Sequence, residues 1–172
     1  MDLEGRRKEI LDYLRESRDP VTGSELAARF GVSRQAIVQD MAIIRAGGEP
    51  VLATPRGYLI PSEPRGGAFR AVVCCRHGRG QIEDEIRIVV DLGGKVMDVI
   101  VEHGVYGELR GDLMIASRRD LALFLDRLNR SEASPLSALT GGVHLHTLEA
   151  PDAAAMDEII EALEEAGILL PG

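Results

Sequence analysis

The sequence predicts an α+β protein of two domains. Its 172 residues are 45% hydrophobic and 28% charged, a composition typical of globular domains and unlike that of fibrous or disordered chains. Residues 1–62 carry nine basic and nine acidic side chains, whereas the rest of the chain carries eleven and nineteen. The change coincides with residues 61–67, Pro-Ser-Glu-Pro-Arg-Gly-Gly, which break both helix and strand. We therefore expect one domain at residues 1–62 and a second at residues 68–172.

The first domain is expected to contain three helices. Apolar residues at helical spacing predict a first helix over residues 3–17. Thr22 has a glutamate three residues later, the spacing of a capping box, and begins a short second helix that ends at Gly31. Ser33 is a favourable N-cap for a third helix, which ends at the glycine pair 47–48. Two helices joined by so short a glycine turn are typical of a helix-turn-helix.

The third helix has an outer face that suits the major groove of DNA. Ile37, Met41 and Ile44 fall within one narrow arc and are expected to face the core. The opposite side carries amides, which can pair with adenine edges, and is flanked by guanidiniums, which reach guanine or phosphate. The side chains expected to contact DNA are Ser33, Arg34, Gln35, Gln39, Arg45 and, from the hairpin that follows, Arg56.

That hairpin completes a winged helix-turn-helix. Residues 51–54 and 58–60 are predicted strands around a turn with Arg56 at its tip, a position that commonly reaches phosphate or the minor groove. The neutral net charge of the domain favours the alternative of a protein-binding winged helix, since duplex binders are usually basic. One such domain makes too few contacts for tight, specific binding. We therefore expect a homodimer on a double-stranded DNA operator.

The second domain alternates strands with amphipathic helices, which predicts a mixed α/β, sandwich-like fold. The predicted strands are residues 69–76, 96–102, 108–115, 143–149 and 168–170, and the predicted helices are residues 81–92, 118–129 and 152–166. Cys74 and Cys75 are neighbours on the first of these strands and should face opposite sides. We therefore expect reduced thiols rather than a disulfide or a metal knuckle.

A metal site is predicted in the second domain. His144 and His146 are two residues apart on a strand, so their imidazoles project from one face and can chelate one ion. His77 follows another strand, and Glu85 falls within the apolar arc of a helix, where a carboxylate needs a partner. Together these four side chains would hold one divalent transition metal per chain: nickel, zinc, iron or manganese. Ordinary hydrogen-bonded histidines are the alternative interpretation.

Membrane attachment and secretion are not expected. No apolar run in the sequence approaches the roughly 18 residues that span a bilayer. The charged start of the chain also lacks the pattern of a secretory signal. We therefore expect a cytoplasmic protein without a membrane partner.

Four segments resemble a known family: residues 31–40 (GVSRQAIVQD), 56–59 (RGYL), 101–109 (VEHGVYGEL) and 139–147 (LTGGVHLHT). They are similar to the niacin-responsive, NiaR-type repressors, which join a winged helix-turn-helix to a three-histidine (3H) domain. The resemblance implies a transcriptional repressor of NAD biosynthesis or niacin uptake genes, with nicotinic acid as co-repressor. It also implies the same four metal ligands.

An anionic effector needs positive or polar partners in this acidic domain. Besides the metal, the residues expected to bind it are His103, Tyr106, Arg76 and Arg79. Two other functions remain open. The metal itself could be the signal, or the site could be that of a metalloenzyme, because a His-x-His pair with a glutamate also suits a metal that activates water. The sequence shows no convincing separate base or nucleophile, so we expect a regulator and no enzyme.

Overall fold

The computed structural model describes residues 3–61 and 66–170, which form two separate compact units. Residues 62–65, within the predicted domain boundary, lie outside the described residues. The first unit is helical with a small hairpin, and the second combines a four-stranded sheet with helices, so the predicted α+β class is confirmed. In these two ranges, no helix is long and apolar enough to cross a membrane.

The first unit is a winged helix-turn-helix. Its elements are α1 (Leu3–Glu16), α2 (Gly23–Phe30), α3 (Arg34–Ala46), β1 (Leu52–Thr54) and β2 (Gly57–Leu59). The predicted helix start at Thr22 is confirmed: its hydroxyl accepts from the Glu25 amide, and the Glu25 carboxylate accepts from the Thr22 amide at 2.8 Å. Gly31 ends α2 in the left-handed conformation, with φ of 66°. The two strands pair antiparallel and form the wing.

Two contacts tie the helices and the wing of this unit together. On α3, the buried Asp40 carboxylate accepts from the Arg6 and Arg7 side chains of α1, at 2.7 and 3.1 Å. On β2, Tyr58 exchanges two backbone hydrogen bonds of 2.8 Å with Val21, which precedes α2. The wing is therefore anchored to the start of the helix-turn-helix.

The second unit places its last strand in the interior of the sheet. Its elements are β3 (Phe69–Arg76), α4 (Ile82–Asp91), β4 (Lys95–His103), β5 (Gly107–Ile115), α5 (Arg118–Arg130), β6 (Val143–Ala150) and α6 (Ala153–Glu165). The sheet order is β3-β6-β4-β5, and the pairings are antiparallel. The histidine pair of β6 therefore lies beside β3, which leads directly to His77.

Buried residues alternate along β6 and divide into two groups. Leu148 and Ala150 join the apolar core with Met156 and Ile159 of α6. The preceding buried positions are imidazoles instead, those of His144 and His146. The end of β6 that carries the two histidines thus lies next to the apolar core and is shielded from water as the core is.

Two parts of the second unit differ from the sequence-based expectation. The strand predicted over residues 168–170 is reduced to a single bridge between Leu169 and Cys75. A short 3-10 helix, Leu136–Thr140, lies in a stretch for which no element was predicted. Three apolar residues are too few to distinguish a strand from a bridge, and a 3-10 helix of five residues is too short to produce a hydrophobic period.

The wing anchor generates a stability prediction. Gly57 has φ of +135°, and a Cβ there would lie 2.4 Å from the Val21 carbonyl oxygen. We expect Gly57→Ala to lower the free energy of unfolding of the first unit by about 1–3 kcal/mol more than Gly48→Ala does. Gly48 is a matched control, since its φ is +91° but its added Cβ would meet no heavy atom within 4 Å.

Amide hydrogen exchange of residues 3–61, measured at increasing urea concentrations, gives the loss of unfolding free energy in each variant. Equal losses from the two substitutions would show that the close approach to Val21 does not stabilise the wing.

Candidate functional site

A buried carboxylate on α4 is surrounded by three histidines. Glu85 is 2% exposed, and its oxygens lie 2.6 Å from His77 Nε2, 3.2 Å from His144 Nε2 and 3.4 Å from His146 Nε2. The histidines are themselves buried. The structure therefore brings together the four side chains that the sequence singled out as metal ligands.

Each imidazole is oriented by a backbone carbonyl on its other nitrogen. His77 Nδ1 lies 2.9 Å from the Gly78 oxygen, His144 Nδ1 lies 2.8 Å from the Gly142 oxygen, and His146 Nδ1 contacts the Asp98 oxygen. A carbonyl oxygen only accepts, so each Nδ1 carries the proton and donates. In a neutral imidazole this leaves a lone pair on Nε2, the atom that faces Glu85.

This arrangement requires positive charge at the centre of the cluster. Three Nε2 lone pairs directed at a carboxylate would repel it, because none of these atoms could donate. One imidazolium would neutralise Glu85 but leave two Nε2 lone pairs facing it, and three imidazoliums would bury an excess of two positive charges. A divalent cation among the four side chains would satisfy them all, and metal-binding histidines usually donate their other ring N–H to a carbonyl or carboxylate, as these do. The residues therefore fit a metal with nitrogen and oxygen ligands.

The pKa values of the cluster reflect the contacts between Glu85 and the histidines. Burial alone would lower the pKa of His77 and of His146, but hydrogen bonding and charge attraction from Glu85 outweigh it and raise both pKa values. Burial would raise the pKa of Glu85, yet its close contacts with the ring nitrogens of His144, His146 and His77 hold this pKa far below its usual range. Glu85 is thus a persistent anion that attracts a cation.

A glycine allows β6 to approach His77. Gly142 has φ of +95°, and a Cβ there would lie 2.5 Å from the His77 carbonyl oxygen. Its own carbonyl accepts from both His144 Nδ1 and the His77 amide. Sequence reasoning missed this residue, although the pair Gly141-Gly142 directly before the histidine strand was a usable signal.

A bulge in β4 positions His146. The pairing register shifts between Val96 and Asp98, and the Asp98 carbonyl accepts from His146 Nδ1. The Asp98 carboxylate is 3% exposed and accepts from the Thr147 amide at 2.8 Å and from Arg110 at 3.0 Å. Asp98 was also missed, and its only sequence signal was an acid flanked by apolar residues within a strand.

A cavity of about 730 Å³ adjoins the histidine cluster where β4 and β6 end their pairing. His144 lines this cavity and is also bonded to Glu85. Its walls combine apolar side chains with the carboxylates of Glu102 and Glu108, which lie directly opposite each other on β4 and β5. Ile100 and Leu145 lie directly opposite each other in the β4–β6 pair, so their side chains are on the face of the sheet opposite that of the His144 ring. His144 is thus shared by the cavity lining and the cluster.

The predicted effector residues lie at different distances from this cavity. His103 Nδ1 accepts from the Val105 and Tyr106 amides, and its ring stacks on Tyr106 at 5.1 Å. The glycines of that turn line the cavity, which places His103 and Tyr106 near its rim. Arg76 is exposed and lies opposite Val143, a residue of the cavity wall. Arg79 instead donates to the Leu128 carbonyl of α5 at 3.0 Å.

The outer face of α3 is exposed and carries no negative charge. Gln35, Gln39 and Arg45 are exposed, whereas Ile37 and Met41 are buried as predicted. Asp40, the single acid in the α3 sequence, faces inward to the arginines of α1. The helix thus offers amides and a guanidinium to a partner without repelling phosphate. Sequence reasoning missed the role of Asp40.

The other predicted DNA contacts have partners within the first unit. Ser33 accepts from the Ala36 amide at 3.1 Å and caps α3. Arg34 is exposed beside Gly23 at the start of α2. Arg56 is partly exposed and lies 3.4 Å from the exposed Asp19 carboxylate. The ion pair between Arg56 and Asp19 is a surface contact of the kind that contributes little to stability.

Comparison with known proteins places both units in described families. Residues 6–59 match an HTH domain, and residues 70–172 match the 3H domain. The chain is 42% identical over 167 residues to a protein of Bacillus subtilis (strain 168) named transcription repressor NadR. It is 42% identical over 165 residues to a protein of Thermotoga maritima named probable transcription repressor NiaR. Each match covers 96% of this chain and 93% of the relative.

The role of Gly142 generates a prediction about metal affinity. We expect Gly142→Ala to weaken zinc binding by roughly 10- to 100-fold, because the added Cβ displaces His77 and misdirects the carbonyl that orients His144. Gly141→Ala is the control, since its φ is +62° and its Cβ would meet no atom within 4 Å. Equilibrium dialysis of both variants measures the difference. Similar zinc affinities would contradict this role of Gly142.

Proposed function

The chain belongs to the family of helix-turn-helix transcription repressors with a 3H domain, and we propose that it represses genes of NAD biosynthesis or niacin uptake. The resemblance to NiaR-type repressors is confirmed by these relatives. Nicotinic acid is the proposed co-repressor, and one divalent transition metal per chain is the proposed cofactor. The observation that carries the regulatory site is the Glu85 carboxylate within three imidazoles whose Nδ1 atoms are fixed by carbonyls.

The proposed DNA contact uses the outer face of α3. The exposed amides of Gln35 and Gln39 read base edges, and Arg45 reaches guanine or phosphate. Ser33, Arg34 and Arg56 contact the backbone at the ends of this surface. Because one unit makes few contacts, two copies of the chain bind a two-fold symmetric operator. The protein acts in the cytoplasm, where its DNA is.

The proposed effector site combines the cavity with the histidine cluster. His77, Glu85, His144 and His146 would hold the metal, which supplies positive charge and an open position for a carboxylate. The apolar walls, including Ile100 and Leu145, pack on the pyridine ring. His103, Tyr106 and Arg76 orient the ligand at the rim, and Arg79 contributes once released from α5.

Co-repression requires different affinities for two states of the dimer. Nicotinic acid must bind better to the state in which the α3 helices of the two copies match the spacing of the operator half-sites. Equal affinity for both states would leave the equilibrium between them unchanged. A coupling of about 1–3 kcal/mol is sufficient to regulate binding. The ligand is thus a signal and is not consumed, and we propose no enzymatic activity.

A second candidate is a regulator that responds to the metal alone. The four proposed ligands are buried, and each histidine Nε2 lies within 3.4 Å of a Glu85 oxygen, so the proposed site needs no organic ligand to complete it. In that case metal binding alone would order the DNA-binding state.

The first prediction from this function concerns base reading. We expect Gln39→Ala to weaken specific operator binding by about 1–3 kcal/mol, because it removes one amide from the groove-facing surface. Gln81→Ala is the matched control, since Gln81 is exposed in the other unit. Fluorescence anisotropy with promoter DNA and a scrambled duplex measures affinity and preference. Unchanged operator affinity and sequence preference in Gln39→Ala would refute the assignment of the outer face.

The second prediction separates the metal from the effector. We expect His146→Ala to lose tight metal binding and, with it, the response to nicotinic acid. His103→Ala should retain the metal but bind nicotinic acid more weakly, because His103 lies outside the cluster. Isothermal titration with nicotinic acid, nicotinamide and NAD, each with and without a chelator, measures these responses.

The same titrations distinguish the alternatives. Operator binding that follows the metal alone, with nicotinic acid without effect, would replace the niacin assignment by the metal-responsive one. Turnover by the metal-loaded protein that is abolished by His144→Ala would overturn the regulatory assignment.

A further inference from the structure

Cys75 of β3 lies against the histidine cluster. Its Sγ, a Glu85 carboxylate oxygen and a ring nitrogen of His144 all lie within 4.8 Å of one another, and the three residues are buried. The strand register accounts for this position, because Cys75 lies directly opposite His144 across the β3–β6 pair. Val73, two residues earlier, lies opposite His146. The two imidazoles of β6 therefore face one thiol and one apolar side chain.

Space filling alone does not explain this thiol. A buried cysteine ordinarily behaves as a small hydrophobic residue, and Val73 shows that an apolar side chain is accommodated on the same face of β3. Cys75 instead places its Sγ within 4.8 Å of a Glu85 carboxylate oxygen and of a His144 ring nitrogen. Cys74 differs in both respects: it is only partly buried and, as the next residue on the strand, faces the other side of the sheet.

The donor atoms around the cluster therefore include sulfur as well as nitrogen and oxygen. Hard ions such as manganese and magnesium prefer oxygen ligands, whereas zinc and cobalt also accept thiolates. A thiol beside a carboxylate and three imidazoles thus changes which metal the site favours.

We propose that Cys75 is a further ligand of the metal, and that its thiolate makes the site prefer zinc or cobalt over manganese. The inference rests on the metal site of the proposed function and specifies its selectivity. When the metal binds, the S–H bond breaks, the proton leaves to solvent and a sulfur–metal bond forms, with no change of oxidation state.

Cobalt(II) added to the full-length protein tests this inference directly. Thiolate ligation produces an intense near-ultraviolet sulfur-to-cobalt charge-transfer band, whereas cobalt held only by nitrogen and oxygen shows the visible d–d bands without it. We expect the charge-transfer band in the wild type and in Cys74→Ser, the matched control on the opposite face. Cys75→Ser should bind cobalt with d–d bands only. Its preference for zinc over manganese should fall by at least about tenfold.

A second measurement needs no variant, in case Cys75→Ser does not fold. Cadmium NMR of the wild type should show a resonance at the higher frequency that thiolate ligation produces relative to nitrogen and oxygen ligands alone. Bound cobalt without a charge-transfer band, or a cadmium resonance at the lower frequency, would overturn the role of Cys75 and leave the metal site of the proposed function intact. Failure of the wild type to bind cobalt or cadmium would overturn both.

Discussion

The second unit is organised around one electrostatic constraint, the burial of the Glu85 carboxylate. A buried charge must be compensated, and the fold gathers three imidazoles around it from a strand end and from the central strand β6. The accessory features serve the same purpose, because Gly142 lets β6 approach His77 and the bulge at Asp98 turns a carbonyl toward His146. A change at any of these positions alters how the carboxylate is neutralised.

The two units neutralise their buried carboxylates in different ways. Asp40 of α3 is paired with Arg6 and Arg7, whose guanidiniums are permanently charged. This contact holds α1 against α3 and needs no additional ion. Glu85 is paired with imidazoles, a group that can carry a proton or bind a metal ion. The first arrangement is therefore suited to fixed structure and the second to a site whose occupancy changes.

Local sequence signals predicted the elements well and the site in part. The capping box at Thr22, the N-cap Ser33 and the pair His144 and His146 all act through near neighbours in the chain, and such spacing can be read directly. The position of β6 between β3 and β4 depends on long-range pairing, which spacing does not reveal. Cys75 was missed for this reason, because only the register sets it opposite His144. Gly142 and Asp98 likewise act through backbone contacts made by the tertiary fold.

The charge of the cavity determines what kind of ligand it accepts. Glu102 and Glu108 face each other on neighbouring strands and line its wall. Arg110, 3.4 Å from Glu108, offsets one of these two charges, so without a further cation the wall still disfavours a carboxylate. His144 belongs both to the cavity lining and to the cluster, where a divalent ion would reverse the local potential. Under the proposed function, preference for a pyridine acid over its neutral amide therefore follows from the occupancy of the metal site. The same strand, β6, then carries both the effector contact and the metal ligands, so that neither ligand binds independently of the other.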